Sequence, residues 1–212
     1  MKLLQSKLSD AGYGDYSEPI EGLLQGREVQ QAVELLMTIL GPAPLSGVAI
    51  PPDLLSGQKF ADLDLRGMQV ERVFAFEHMR DVTFRNCDLS GSSFEGLWDE
   101  DEDRYFTLSM RGVVFDSCNL TGVEFAGVQP NVVELRNCYV SDPKKPVTFV
   151  DSRFSSTPQG ALLITGKPIS IRFTRPRAHK HPVILMSENV FEAKDRTVRT
   201  DTAIELVELR DL

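Results

Sequence analysis

Cysteine is scarce in this chain, tryptophan occurs once, and there are only three histidines among 212 residues. An odd number of cysteines without metal-type spacing gives no disulfide framework and no zinc pattern. No apolar run approaches the roughly 20 residues that a membrane helix needs. The opening MKLLQSKLSDAGYGD turns polar too soon for a secretory signal. The expected location is therefore a reducing cytoplasm, with signal-less export as the alternative. Basic residues are outnumbered 23 to 31, a net charge of −8. That balance favours solubility and disfavours nonspecific DNA binding. The acids Asp62, Asp64, Asp81 and Asp88 are not paired at a defined separation, and only His78, His179 and His181 could act as bases. With no nucleophile motif beside them, no catalytic, metal or cofactor set is expected, and the chain reads as a non-enzyme.

What the sequence does have is self-similarity. VTFRNCDLSGSSFEG (82–96) and VVFDSCNLTGVEFAG (113–127) align residue by residue. VELRNCYVSD (133–142), VTFVDSRFSS (147–156) and LDLRGMQVER (63–72) are shorter copies. Each is a tandem of pentads with a large apolar centre and a small residue two before it. A period of five fits neither a helix nor an alternating strand. It fits a chain that turns a corner every pentad, so that four pentads close a square coil of about 20 residues.

Stacking such coils predicts one inward column of Leu65, Phe84, Phe115, Leu135 and Phe154, and another of Val70, Leu89, Leu120 and Val140. A single insertion explains the one long spacing, between Phe84 and Phe115. Cys87, Cys118 and Cys138 all fall two before a centre of the second column, as a ladder of small buried groups. Asn86, Ser117, Asn137 and Ser156 line up at one corner, and Gly67, Gly91 and Gly122 recur at others, as tight turns select.

Pentads such as CDLSG and CNLTG resemble the pentapeptide-repeat family over about half the chain. The resemblance implies a mainly β fold, a right-handed parallel β-solenoid of square cross-section. This chain departs from the family pattern in having few alanines at the small position, and in breaks near 75–79 and 140–149. Members of the family include mimics of double-stranded DNA that protect topoisomerases, and translocated effectors. Fold transfers with such a resemblance better than function does.

Outside the repeats, residues 1–45 read as a helical N-terminal cap. Val29, Ala32, Val33, Leu36, Ile39 and Leu40 follow helical spacing up to Gly41 and Pro42. A dimerising or partner-binding helix is the other reading of that stripe. Residues 46–57 look like a proline-rich linker, 58–175 form the solenoid, and 176–212 a C-terminal capping segment. In that last segment Thr202 and Glu205 have capping-box spacing, which suggests a closing helix, with an edge strand as the competing reading.

Two segments are candidate partner contacts. The insertion at 96–108 carries five consecutive acids, Asp99, Glu100, Asp101, Glu102 and Asp103, between Trp98 and Tyr105. A run like this is usually a solvated loop, but aromatic anchors beside acids also suit a basic protein partner. It lacks the glycine and spaced bidentate acid of a calcium loop. The acid-free stretch 165–181 holds Lys167, Arg172, Arg175, Arg177 and Lys180, which suit either an acidic partner or a solvated edge. The expected role is a scaffold binding another protein: regulatory, adaptor or effector-like, and bacterial. A DNA mimic occupying a topoisomerase is the alternative, opposed by Arg66, Arg72, Arg80, Arg85, Arg111, Arg136 and Arg153, which interrupt any acidic stripe.

Overall fold

The computed structural model describes residues 2–25, 28–74, 77–154, 162–175, 183–200 and 205–208. Its strands are two to four residues long, and the chain turns after each one. Lys59–Ala61, Thr83–Arg85, Val114–Asp116, Val133–Arg136, Leu162–Thr165, Val183–Met186 and Glu205–Glu208 stack as a first face. Ala49–Ile50, Gln69–Glu71, Ser93–Glu95, Glu124–Ala126, Val147–Val150, Ile171–Thr174 and Val198–Thr200 form a second. His78–Arg80, Leu108–Arg111 and Val128–Asn131 form a third. Single bridges join Asp64, Asp88, Asn119 and Tyr139 on a fourth. Every pairing within these faces is parallel. The chain leaves the first face, crosses the fourth, the second and the third, and returns one coil further on.

The pairing register fixes the inward columns. Phe60, Phe84, Phe115, Leu135 and Ile164 lie in one. Ile50, Val70, Phe94, Phe125, Phe149 and Phe173 lie in the next. Met79, Met110 and Pro130 lie in a third. Phe84, Phe115 and Leu135 thus share a column as the repeat predicts, but Leu65, Val70 and Phe154 do not belong where spacing put them. Leu65 donates its amide to Asp88, beside Leu89 rather than Phe84. Val70 pairs with Phe94, one face beyond Leu89. Phe154 follows Arg153, whose amide reaches Val128 of the third face. For Leu65 and Val70 the cause is the extra chain between Glu71 and His78, and for Phe154 it is the long stretch between Tyr139 and Val147; spacing alone cannot tell either from a shortened coil.

Coil rise equals strand spacing, about 4.8 Å, so like rings stack in register. Ring centroids are 5.1 Å apart for Phe60 and Phe84, 5.1 Å for Phe84 and Phe115, 5.0 Å for Phe94 and Phe125, and 4.7 Å for Phe125 and Phe149. The two phenylalanine columns meet edge-on, as between Phe94 and Phe115 at 5.7 Å. Beside them the three cysteines are buried as the repeat predicts. Cys118 donates its thiol to the Phe84 carbonyl at 3.4 Å and Cys138 to that of Phe115 at 3.2 Å. The adjoining Cys138 thiol, with burial, pushes Cys118 up to about 12, so it stays a thiol.

Corners need left-handed backbone. Asp62, Asn86, Ser117 and Asn137 have φ of 59°, 53°, 57° and 51° at one corner ladder. Each donates its amide to the coil above, for instance Asn86 to Asp116 at 2.9 Å. At another corner stand Asp81, Gly112 and Val132, with φ of 53°, 63° and 59°. Asp and Gly tolerate that region, whereas a β-branched residue is strained there. Val132 is 45% exposed, so its side chain returns little burial for that strain. Val132→Asn is therefore expected to raise stability by about 0.5–1 kcal/mol. The midpoint of urea unfolding should rise at constant slope; a fall would show that Val132 makes contacts outweighing its backbone strain.

Three helices cover the first coil: α1 (Lys2–Asp10), α2 (Ser17–Gln25) and α3 (Val29–Leu40). Leu4, Leu8, Ile20, Val29, Ala32, Val33 and Leu36 are buried in one core with the solenoid columns. Polar groups close the open edge: Gln30 Oε1 accepts the Ala61 amide at 3.1 Å, and the Asp64 carboxylate accepts that of Ala43 at 3.0 Å. The proline-rich 46–57 is not an extended linker. Ile50 pairs with Val70, Pro52 opens a short helix α4 (Pro52–Leu55), and Gly57 donates to Arg80. Pairing also runs on past 175. Glu205–Glu208 is a strand beside Val183–Met186, so the expected closing helix is replaced by its competing reading; Thr202 lies outside the described residues.

Candidate functional site

The acidic insertion folds as a hairpin. Leu97–Asp99 pairs antiparallel with Arg104–Phe106, placing Trp98 opposite Tyr105. Asp99 Oδ1 caps the turn by accepting the amides of Asp101 at 3.1 Å and Glu102 at 3.3 Å. Arg104 forms an ion pair with Glu102 and lies 5.8 Å over the Phe106 ring. Glu100, Asp101, Glu102 and Asp103 are exposed at the tip. Trp98 and Phe106 are each 41% exposed. The hairpin is rooted in the solenoid by Gly96 donating to Ala126 and Leu108 donating to Gly127, both at 2.9 Å.

A second projection was not recognised in the sequence. The excursion after Glu71 exposes Val73 by 54% and Phe74 by 57%, yet the charged residues flanking them, Arg72 and Glu77, are buried. Arg72 Nε donates to the Phe74 carbonyl at 3.0 Å, and its Nη1 donates to the Thr107 carbonyl at the foot of the hairpin. The Glu77 carboxylate accepts the amides of Val73 at 2.6 Å and Phe74 at 2.8 Å. Two buried charges thus hold an apolar pair out in solvent and tie it to the hairpin. The signal in the sequence was the break in the repeat at VFAFE, which carries apolar residues where a loop would be polar.

The basic segment is only partly brought to the hairpin. Arg172 is exposed on the second face, beside Thr148. Arg175 pairs with the buried Asp151 at 2.8 Å, and both act electrostatically on Tyr105. Arg177 and Lys180, with His179 and His181, lie outside the described residues. On the fourth face the acids are tied to neighbouring side chains. Arg66 bonds Asp64 at 2.6 Å and holds its carboxyl below the usual range, and the Asn119 amide donates to Asp88 at 3.1 Å. Among the described residues no three His, Cys, Asp or Glu side chains are grouped to hold a metal, and no helix is long and apolar enough to cross a membrane.

Stacked parallel coils with an apolar interior and short strands make this a mainly β protein of the β-solenoid class. No family model matches the chain, and no curated protein matches it. Among solved structures it is similar to a trypsin-treated form of QnrB1, a plasmid-mediated fluoroquinolone resistance protein. The TM-score is 0.33 at 15% identity, over 77% of this chain and 88% of that one.

Proposed function

We propose that the protein is a non-enzymatic, protein-binding scaffold: a right-handed solenoid of the pentapeptide-repeat type whose projections contact another protein. The supporting observation is the pair of apolar contact elements at one edge. Val73 and Phe74 are exposed on one element and Trp98 and Phe106 on the other, Arg72 joins the two at the Phe74 and Thr107 carbonyls, and internal hydrogen bonds fix both elements before any partner arrives. Preorganised aromatic side chains lose little entropy on binding and make effective anchors. The acids at 99–103 suit a partner whose apolar pocket is rimmed by Lys and Arg.

A bacterial regulator, adaptor or delivered effector would use such a surface equally well. A DNA mimic would need acids spaced regularly along a face, and Arg66 and Asn119 work against that on the fourth face. The test is affinity capture from the native cell, followed by titration of the purified partner. Replacing Trp98, Phe106 and Phe74 together by Ser is expected to weaken binding by about 100-fold or more, with melting unchanged. A partner held equally by wild type and variant would remove the reading. Gyrase inhibition insensitive to the same variant would favour mimicry instead.

A further inference from the structure

Tyr105 of the hairpin lies across Gly127 of the solenoid. A β-carbon on Gly127 would stand 2.2 Å from Tyr105 Cγ and 2.3 Å from its Cβ, far inside contact distance. The Gly127 backbone cannot step aside, because its amide donates to Val150 at 2.8 Å and its carbonyl accepts from Leu108 at 2.9 Å. Gly96, on the other strand's root, is equally constrained: a β-carbon there would lie 2.5 Å from the Phe106 oxygen and 2.7 Å from that of Gly127.

Backbone conformation alone does not explain the glycine. Gly127 has φ of 58°, but Asp151 and Arg175 occupy the same corner in the following coils at 47° and 48°. That corner therefore accepts side chains wherever no ring lies across it. Above Gly127 the ring carries Trp98 against it, centroids 4.8 Å apart and 68° between planes. Burial raises the phenol above its ordinary range, the charges of Glu95, Glu124 and Asp151 add to this, and Arg175 opposes them.

We propose that Gly127 is a positioning residue whose missing side chain seats Tyr105 and fixes the hairpin in one orientation. The functional meaning of that seat rests on reading the hairpin as a contact element, but its existence can be tested without any partner. Trp98 is the sole tryptophan, so its emission and near-ultraviolet dichroism report the seat directly.

Gly127→Ala is expected to move Trp98 emission to that of a solvated indole, and to speed trypsin cleavage after Arg104 by about tenfold or more. Gly91→Ala is the control: φ there is 68°, yet an added β-carbon meets nothing within 4 Å. It should leave both readouts at wild-type values. Should Gly127→Ala fail to fold, Tyr105→Ser tests the same seat from the hairpin side. It should free Trp98 while far-ultraviolet dichroism and melting hold, and the double variant should fold. Unchanged emission and cleavage in folded Gly127→Ala or in Tyr105→Ser would overturn the proposal, as would equal changes in Gly91→Ala. A seat confirmed this way, with binding indifferent to Trp98 and Phe106, would leave the seat standing and remove the contact reading.

Discussion

Truncating Phe115 to alanine is expected to lower the unfolding free energy by about 3–5 kcal/mol. The ring is fully buried, stacks on Phe84 at 5.1 Å, and meets Phe94 at 5.7 Å and Phe125 at 5.8 Å edge-on. It therefore couples both phenylalanine columns. Its strand cannot collapse into the gap, because Val114 donates to Val82 at 2.8 Å and Glu134 donates to Val113 at 2.9 Å. A cavity that stays open puts the cost toward the upper end of that range. Among the described residues Phe60 meets the Phe84 ring alone and has no edge-on partner, so Phe60→Ala should cost less. Stacked coils behave as nearest-neighbour arrays, and breaking the central interface should also lower the slope of the urea transition as the halves uncouple. A loss below about 2 kcal/mol would mean that the coils relax around the gap.

The interior was legible because burial in a solenoid repeats with the chain. Phe84, Phe115 and Leu135, Leu89 and Leu120, and the three cysteines sit as their spacing implies, since each coil reuses the same inward positions. Leu65 and Val70 were misplaced because a periodic argument counts residues without seeing the excursion at 72–77 that consumes them. Residues 49–50 make a strand too short to show any period, so PPDLL reads as loop although Pro52 opens a helical turn on the solenoid end. The hairpin was visible as acids between aromatics, an interruption of a regular pattern. Gly127 was not, because FAG looked like any pentad ending in a small residue. What distinguishes it is a ring arriving from an insertion, and no local spacing encodes that. Arg72 and Glu77 were equally hidden. Charged residues default to solvent in a sequence reading, and only Thr107, contributed from the next coil, shows why Arg72 is buried.

Replacing that arginine by methionine is expected to cost about 2–4 kcal/mol, although it touches no repeat position. Methionine keeps the apolar stem but loses the donors to the Phe74 and Thr107 carbonyls and leaves the buried Glu77 carboxylate without its nearby cation. Glu77 still accepts two backbone amides, which holds the cost below that of a fully orphaned charge. Adding Glu77→Gln should restore part of the loss, and a double-mutant cycle over chemical unfolding would measure the coupling. Independent effects that simply add would show that the two residues act separately. Phe74→Ser provides the contrast: its ring is more than half exposed, and stability should stay within about 0.5 kcal/mol of wild type. If both projections form one contact surface, Arg72→Met should weaken partner binding as much as Phe74→Ser does, without itself touching the partner. Its guanidinium is the link between the apolar turn and the foot of the hairpin, and losing it frees both.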